Sequence, residues 1–313
     1  MIYLNDSYSL QSGEQISIPF NTPIIGYKSI FLPGDVLELI SETPTESIFN
    51  QAPQVWSPLT GNGSQYTKLL SNGVFDNGYY VHTQVIQIRN SQNKPFDYFG
   101  IAGHNMYPTL QTPGDNMHTP VGVGFQVSDD GFNWTTLLNF LDNMSNDTPM
   151  FVNFNQIYFN SYIRLVFVVR QLSDTPVLLR LSHIKVGQRT RLTHPIYVDV
   201  VPLRQGDKYT YSQSTSELGH YLGRTIMQKG MEYSINQERT DDIYYFNNIE
   251  PFRKHVNGLK TVDNNGPVGT FFMATQPIDD PLQVAYCYPG SFSAPSPYNN
   301  SGLYKYSFNG NCE

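Results

Sequence analysis

The stretch DYFGIAGHNMYP, residues 97–108, sets a histidine and an asparagine directly behind an apolar run. An imidazole beside a carboxamide is a pair that can shuttle a proton or clasp a sugar hydroxyl. His104 and Asn105 are therefore the first candidates for chemistry. The competing reading is a strand-end corner, where short polar side chains satisfy loop backbone groups. Gly103 favours the corner, because it permits a sharp exit from the strand. His82, His118, His183, His194, His220 and His255 show no HExxH or HxH spacing that would mark a metal site. There is no GxSxG and the serines are scattered through loops, so no serine nucleophile is indicated.

Paired carboxylates are the next chemistry to weigh, because glycoside hydrolysis needs two of them across a cleft. The candidates are Asp129–Asp130, Asp241–Asp242 and Asp279–Asp280. The first pair reads as a hairpin turn, the second as a helix start and the third as a loop between strands. Each has a sufficient local role. The segment QVSDDG could also suggest calcium, but the EF-hand pattern is absent and Ser128–Gly131 suffices as a turn. Trp56, in the loop-like QVWSPLTG, is the better candidate for stacking on a glycan ring; Trp134 follows a tight turn and is expected to be buried. Cys287 and Cys312 sit in no CxxC or metal-ligand spacing. No catalytic residue, cofactor or metal ligand is expected, and the chain reads as a non-enzyme.

Composition narrows the classes. Charged residues make up 14% of the 313, against roughly 25% in average soluble proteins. Aromatics are also 14%, led by 22 Tyr and 19 Phe. Low charge with many aromatics argues against disorder and for a β-rich chain whose surface is built from neutral hydrogen-bonding groups. The net charge is -7 and no basic run occurs, which disfavours nucleic acid as a partner. No stretch reaches the ~18 apolar residues of a membrane span. The start, MIYLNDSYSL, shows neither a basic nor an apolar leader region. On this reading synthesis is cytoplasmic, sequons such as those at Asn62, Asn133 and Asn146 stay unmodified, and the two thiols are expected to stay reduced, a Cys287–Cys312 disulfide being the alternative.

The elements that must position these residues are mostly strands. YYVHTQVIQIRN, YFGIAGHN, VGVGFQVSDDG, YIRLVFVVR and VLLRLSHIKVG are short apolar or alternating runs parted by Gly, Pro, Asn and Asp. Val121, Val123, Phe125 and Val127 fall on one strand face, and Gly131 is free to take positive φ in the turn after them. YIRLVFVVR is apolar on both faces, as in a central strand. Residues 1–34 read as an N-terminal arm with short strands, 35–188 as a sandwich, and 189–290 as a β-plus-helix assembly domain. Residues 291–313, rich in Pro, Ser, Asn and Gly, read as an irregular tail that is loose until a partner orders it. HPIYVDVVPL is an alternating strand. Ile243, Phe246, Ile249, Phe252 and Val256 recur at helical steps, with Thr240 or Asp241 as cap and Pro251 as a kink. GTFFMAT and QVAYCY return as strands.

Two likenesses follow from these stretches. DYFGIAGHNMYP, VGVGFQVSDDGFNWTTLL and YIRLVFVV…VLLRLSHIKVG together resemble the discoidin-like, galactose-binding-like β-sandwich. The implied fold class is mainly β: that antiparallel sandwich followed by a smaller β-rich domain with one amphipathic helix. The layout that continues through HPIYVDV, ELGHYLGRTIMQKG and GTFFMATQPIDDPLQVAYCY resembles virion structural proteins of tailed bacteriophages, of the tail, baseplate or adaptor kind. That resemblance implies a non-catalytic virion subunit, assembling with copies of itself and other virion proteins. The alternative it leaves is a carbohydrate-binding module for host-surface glycan, with Trp56, His104 and Asn105 as contacts, or a glycan hydrolase.

Overall fold

Alternating apolar and polar residues dominate the chain, and the computed structural model is accordingly mostly β with antiparallel sheets. The structure describes residues 22–30, 38–40, 67–71, 74–76, 79–104, 118–138, 149–171, 177–193, 207–215, 217, 221–257, 269–275, 284–298 and 302–312. The strands are β1 Ile24–Gly26, β2 Glu38–Ile40, β3 Thr67–Ser71, β4 Val74–Asp76, β5 Tyr79–Arg89, β6 Phe96–His104, β7 His118–Ser128, β8 Thr135–Leu138 and β9 Met150–Tyr158. They continue as β10 Tyr162–Gln171, β11 Val177–Gly187, β12 Thr190–Arg191, β13 Asp207–Thr215 and β14 Tyr221–Asp241. After a helical segment come β15 Phe271–Ala274, β16 Val284–Phe292, β17 Ser296–Tyr298 and β18 Leu303–Cys312. Among the described residues, no helix is long and apolar enough to cross a membrane.

The chain divides into two compact units, with a boundary between Arg189 and Thr190. The first holds two sheets, ordered β2-β5-β10-β7-β8 (with β4 on β5) and β3-β11-β6-β9. Their inner faces make one core. Ile86, Ile88, Val123, Phe125, Val127, Ile163, Leu165 and Phe167 come from one sheet. Phe96, Phe99, Ile101, Met150, Val152, Phe154, Ile184 and Val186 come from the other. Phe99 stacks on Phe125 across the gap, ring centroids 4.9 Å apart. This is the expected sandwich, and β10 is the expected central strand, paired with both β5 and β7. β10 and β11, consecutive in the chain, lie in different sheets.

The outer face of the second sheet is also buried, at Tyr98, His104, Asn153, His183 and Lys185. The segment after β1 packs against part of it. Tyr98 Oη donates to the Lys28 carbonyl at 2.5 Å, and Ile30 N donates to the Val186 carbonyl at 2.8 Å. Gly187 is required there, since a Cβ would collide with the Lys28 carbonyl. Arg189 closes the unit with an ion pair to Asp97 at 3.3 Å and a hydrogen bond to Asn153.

The second unit is one eight-stranded sheet, ordered β12-β1-β15-β16-β18-β14-β13, with β17 paired to β18. Two expectations are corrected here. Residues 291–313 are not an irregular tail: β17 and β18 lie within them, and β18 runs between β14 and β16. Tyr306, Phe308 and Cys312 alternate inward while Lys305, Asn309 and Asn311 face out, a period of two that the Ser/Asn/Gly composition disguises. Of the expected arm at 1–34, the strand β1 is an internal member of this sheet, next to β12 and β15; residues 1–21 and 31–34 lie outside the described residues. So does the whole of HPIYVDVVPL.

The helix is present but out of phase. It runs α1 Asp242–Tyr244, a π-turn Tyr245–Ile249, and α2 Glu250–Val256. Asp241 caps it by accepting from Tyr244 N at 3.2 Å. Pro251 occupies the first turn of α2, where its missing N–H costs nothing within that turn. The widened turn before it adds a residue to the repeat. The buried apolar set is therefore Tyr245, Ile249, Phe252 and Val256, with His255 buried beside them, while Ile243 and Phe246 are 71% and 52% exposed. Phe252 sits edge-on to Phe271, Phe292 and Phe308, the aromatic centre of the unit.

Candidate functional site

Three connections meet at one end of the sandwich, because the register pairs Tyr162 with both Arg89 and Ser128. They are 90–95, 129–134 and 159–161. Each is held by side chain to backbone bonds. In the β7–β8 turn, Asp130 Oδ1 accepts from Ser128 Oγ, Phe132 N and Asn133 N at 2.8–2.9 Å, and Asp130 Oδ2 accepts from Asn133 Nδ2 at 2.6 Å. Gly131 takes φ +78° in this turn, which a β-carbon would strain. The backbone N–H groups of Asn133 and Phe132, then the side chains of Asn133 and Ser128, hold the Asp130 carboxyl far below the ordinary carboxylate range. It is a fixed anion and cannot serve as a general acid.

The turns are also tied to one another. Asn160 Nδ2 donates to Asp129 Oδ1 at 2.9 Å, and Ser161 Oγ donates to Asn93 Oδ1 at 3.0 Å. Asn90 Nδ2 donates to the carbonyls of Lys94 and Asn160 at 2.8 and 3.2 Å. From this stiffened base Phe132 projects 87% exposed, and Phe159, in the adjacent tip, is 58% exposed. Ile157 is half exposed on β9 beside them. Exposed aromatic rings over a network of carboxamides and a fixed carboxylate form a surface that can stack on an apolar sugar face and bond its hydroxyls.

The sequence candidates fall elsewhere or outside. His104 is the last residue of β6 and is 6% exposed; Gly103, before it, has φ +62° within the strand. Trp56 and Asn105 lie outside the described residues, as do Asp279 and Asp280. Trp134 is not fully buried as expected. It is half-buried at the edge of the β7–β8 tip, with the Arg164 guanidinium 3.9 Å from its ring centroid, a cation–π pair. Asp129 and Asp130 serve the turns, and Asp241 caps the helix. Among the described residues no three His, Cys, Asp or Glu side chains stand together as metal ligands. Phe132 and Phe159 were legible only as turn neighbours: DGFNW and YFNSY each place a Phe beside Asn in a short connection between strands.

In the second unit a shallow groove of about 490 Å³ lies over β14, β16 and β18, lined by Glu232, Tyr233, Ser234, Gly290, Asn309, Gly310 and Asn311. Asn309 is already engaged, accepting from Ser291 N at 3.2 Å and Ser291 Oγ at 3.1 Å.

No protein-family model and no curated protein matches the chain. Solved structures do. Chitosan-binding module 1 of a Paenibacillus sp. chitosanase/glucanase is 16% identical, over 50% of this chain and 97% of that one, with a TM-score of 0.33. CBM32-1 of a family 31 glycoside hydrolase from Clostridium perfringens is 11% identical, over 50% and 96%, with a TM-score of 0.28. The F5/8 type C domain of a Bacteroides fragilis protein is 12% identical, over 51% and 95%, with a TM-score of 0.28.

Proposed function

We propose that the protein is a non-catalytic glycan-binding subunit whose first unit recognises a neutral or weakly charged polysaccharide. The observation that carries this reading is the pair of stiffened connections, the β7–β8 hairpin turn and the β9–β10 crossover between sheets, that hold Phe132 and Phe159 in solvent beside Asn133, Asn160 and Asp129. An exposed Phe132, its N–H held by the Asp130 carboxylate that four donors fix in the turn, costs apolar hydration and gains nothing within the unit. A glycan ring would cover it. The tips need no movement to bind, so little ordering entropy is lost on association. In keeping with the likeness to tailed-phage virion proteins, the subunit would sit on a virion assembled in the host cytoplasm, turned toward host-surface glycan.

A glycan array tests this. Wild type is expected to bind a subset of polysaccharides, and Phe132→Ala and Phe159→Ala to weaken that binding by about tenfold each, the scale of one lost stacking contact. Trp56→Ala, run beside them, reports on the loop that the sequence favoured. Undiminished binding by both Phe variants would move the site away from these tips. A turnover assay on the same polysaccharides checks the hydrolase alternative.

A second reading, a virion subunit joined to its neighbours by protein contacts, is favoured by Ile243 and Phe246. They lie one turn apart, both exposed, on the outward face of the helical segment. Under that reading Ile243→Ser with Phe246→Ser leaves the fold intact and lowers the oligomeric mass measured by sedimentation.

A further inference from the structure

Cys287 and Cys312 are directly opposed across the β16–β18 ladder. They belong to one inward row, Phe271–Cys287–Cys312–Met231, that crosses four strands. Both are buried and both are free thiols; Cys287 is 0% exposed and Cys312 is 4% exposed. Their side chains are cross-strand neighbours on the same face.

The ladder itself supplies the geometry for a bond. Pro289 faces Gly310 two residues along, and Pro has no N–H to exchange. Antiparallel pairs alternate between bonded and non-bonded positions, so Pro289–Gly310 is non-bonded and Cys287–Cys312 is too. Non-bonded pairs bring Cα atoms to ~4.5 Å, inside the window that a disulfide spans.

We infer that Cys287 and Cys312 form a redox-closable staple: an intramolecular disulfide that fastens β18 to β16 when the protein meets a small-molecule disulfide. Cys312, the less buried sulfur, attacks the external disulfide as its thiolate and releases one thiol. The Cys287 thiolate then attacks Cys312 Sγ in the mixed disulfide and releases the second. Two S–H bonds are lost and one S–S bond is made. The external disulfide takes up both electrons and both protons. Burial first, then the Cys312 neighbour, push the Cys287 thiol above its ordinary value. Closure is therefore slow at neutral pH and faster in alkali. In a milieu rich in reduced thiols the pair stays open, and outside it the staple closes. This state is independent of the glycan reading, and the array result does not bear on it.

The test uses the full chain. It is incubated with oxidised glutathione at pH 8, quenched with acid, denatured, and its thiols counted. The expected result is loss of both thiols, an intact mass lower by two hydrogens, no retained glutathione and no covalent dimer. The Tm should rise on the order of 10 °C, reversibly with dithiothreitol. Cys312→Ser and Cys287→Ser should each remove that rise. Should either variant misfold, peptide mapping of oxidised wild type decides alone, by finding or not finding the 287–312 cross-link. Two thiols persisting in the folded wild type, while the denatured chain oxidises fully, would overturn the inference. So would a stable glutathione adduct, an intermolecular bond, or closure without a change in Tm.

Discussion

Single ionisable side chains in this protein are used in opposite ways. Asp130 stands in solvent and is kept charged by donors of its own turn. His183 and Lys185 lie on β11, both 1% exposed, where the surroundings disfavour charge. Burial, then the Lys185 charge, push His183 down to about 4, and burial pushes Lys185 down to about 7. The unfolded chain takes up the histidine proton near 6.5, while the folded chain resists until about 4. The unfolded state therefore holds more protons in that window, and stability falls as the solution is acidified through it. The Lys185 window lies higher, from about 7 to its ordinary 10.5, and there stability rises as the solution becomes alkaline. Urea titrations at pH 5, 7 and 9 are expected to show increasing unfolding free energy at each step. His183→Gln should flatten the acid window, whose full depth is about 3 kcal/mol. An acid slope unchanged in that variant would exclude His183 as its source. None of this was legible beforehand. His183 stood in VLLRLSHIKVG as one histidine among seven, and nothing in the run shows that both sheet faces are covered. His104 was singled out; the glycine before it takes a positive φ inside β6, and the expected corner after it lies outside the described residues.

At the level of elements, the helical segment separates pattern from phase. The apolar repeat and the acidic start indicated a helix, and Pro251 indicated an irregularity. The repeat then assumed a constant 3.6-residue turn, and the π-turn breaks that assumption between Tyr245 and Ile249. Ile249, Phe252 and Val256 were placed correctly and Ile243 and Phe246 were not. Substitutions should sort accordingly. Phe252→Ala removes a ring that meets three others and should cost about 3–5 kcal/mol. Ile243→Ser, a change in solvent, should stay within about 0.5 kcal/mol. Equal losses in chemical denaturation would mean that the segment is not seated as described. The β7 strand was easier to read: Val123, Phe125 and Val127 alternate inward without a break up to the turn. The tip beyond was harder, because a turn signature says where the chain reverses but not which side chain is left standing in solvent.

Across the whole molecule, the mainly β class and the first sandwich followed from alternation and turn spacing. The second unit was the harder half, since its sheet collects strands from distant parts of the sequence. β1 joins β12 and β15, and β18 enters between β14 and β16. Strand order of that kind is set by long-range pairing, which local patterns do not encode. The misreading of 291–313 has a direct check. Amide exchange of β18 should be as slow as that of the Met231–Asp241 half of β14, because an interior strand opens only with its sheet. Rapid exchange of Tyr306 and Phe308 would restore the loose tail.

β14 pairs with β13 through Tyr221–Met231 and with β18 through Met231–Asp241. One unbroken backbone thus serves a hairpin at one end and the sheet interior at the other. A pull on the hairpin along its length would travel down β14 and reach the β18 ladder in shear. The bonds there would share the load in parallel instead of parting one at a time, so the hairpin is a mechanically sound handle by which to tether this protein.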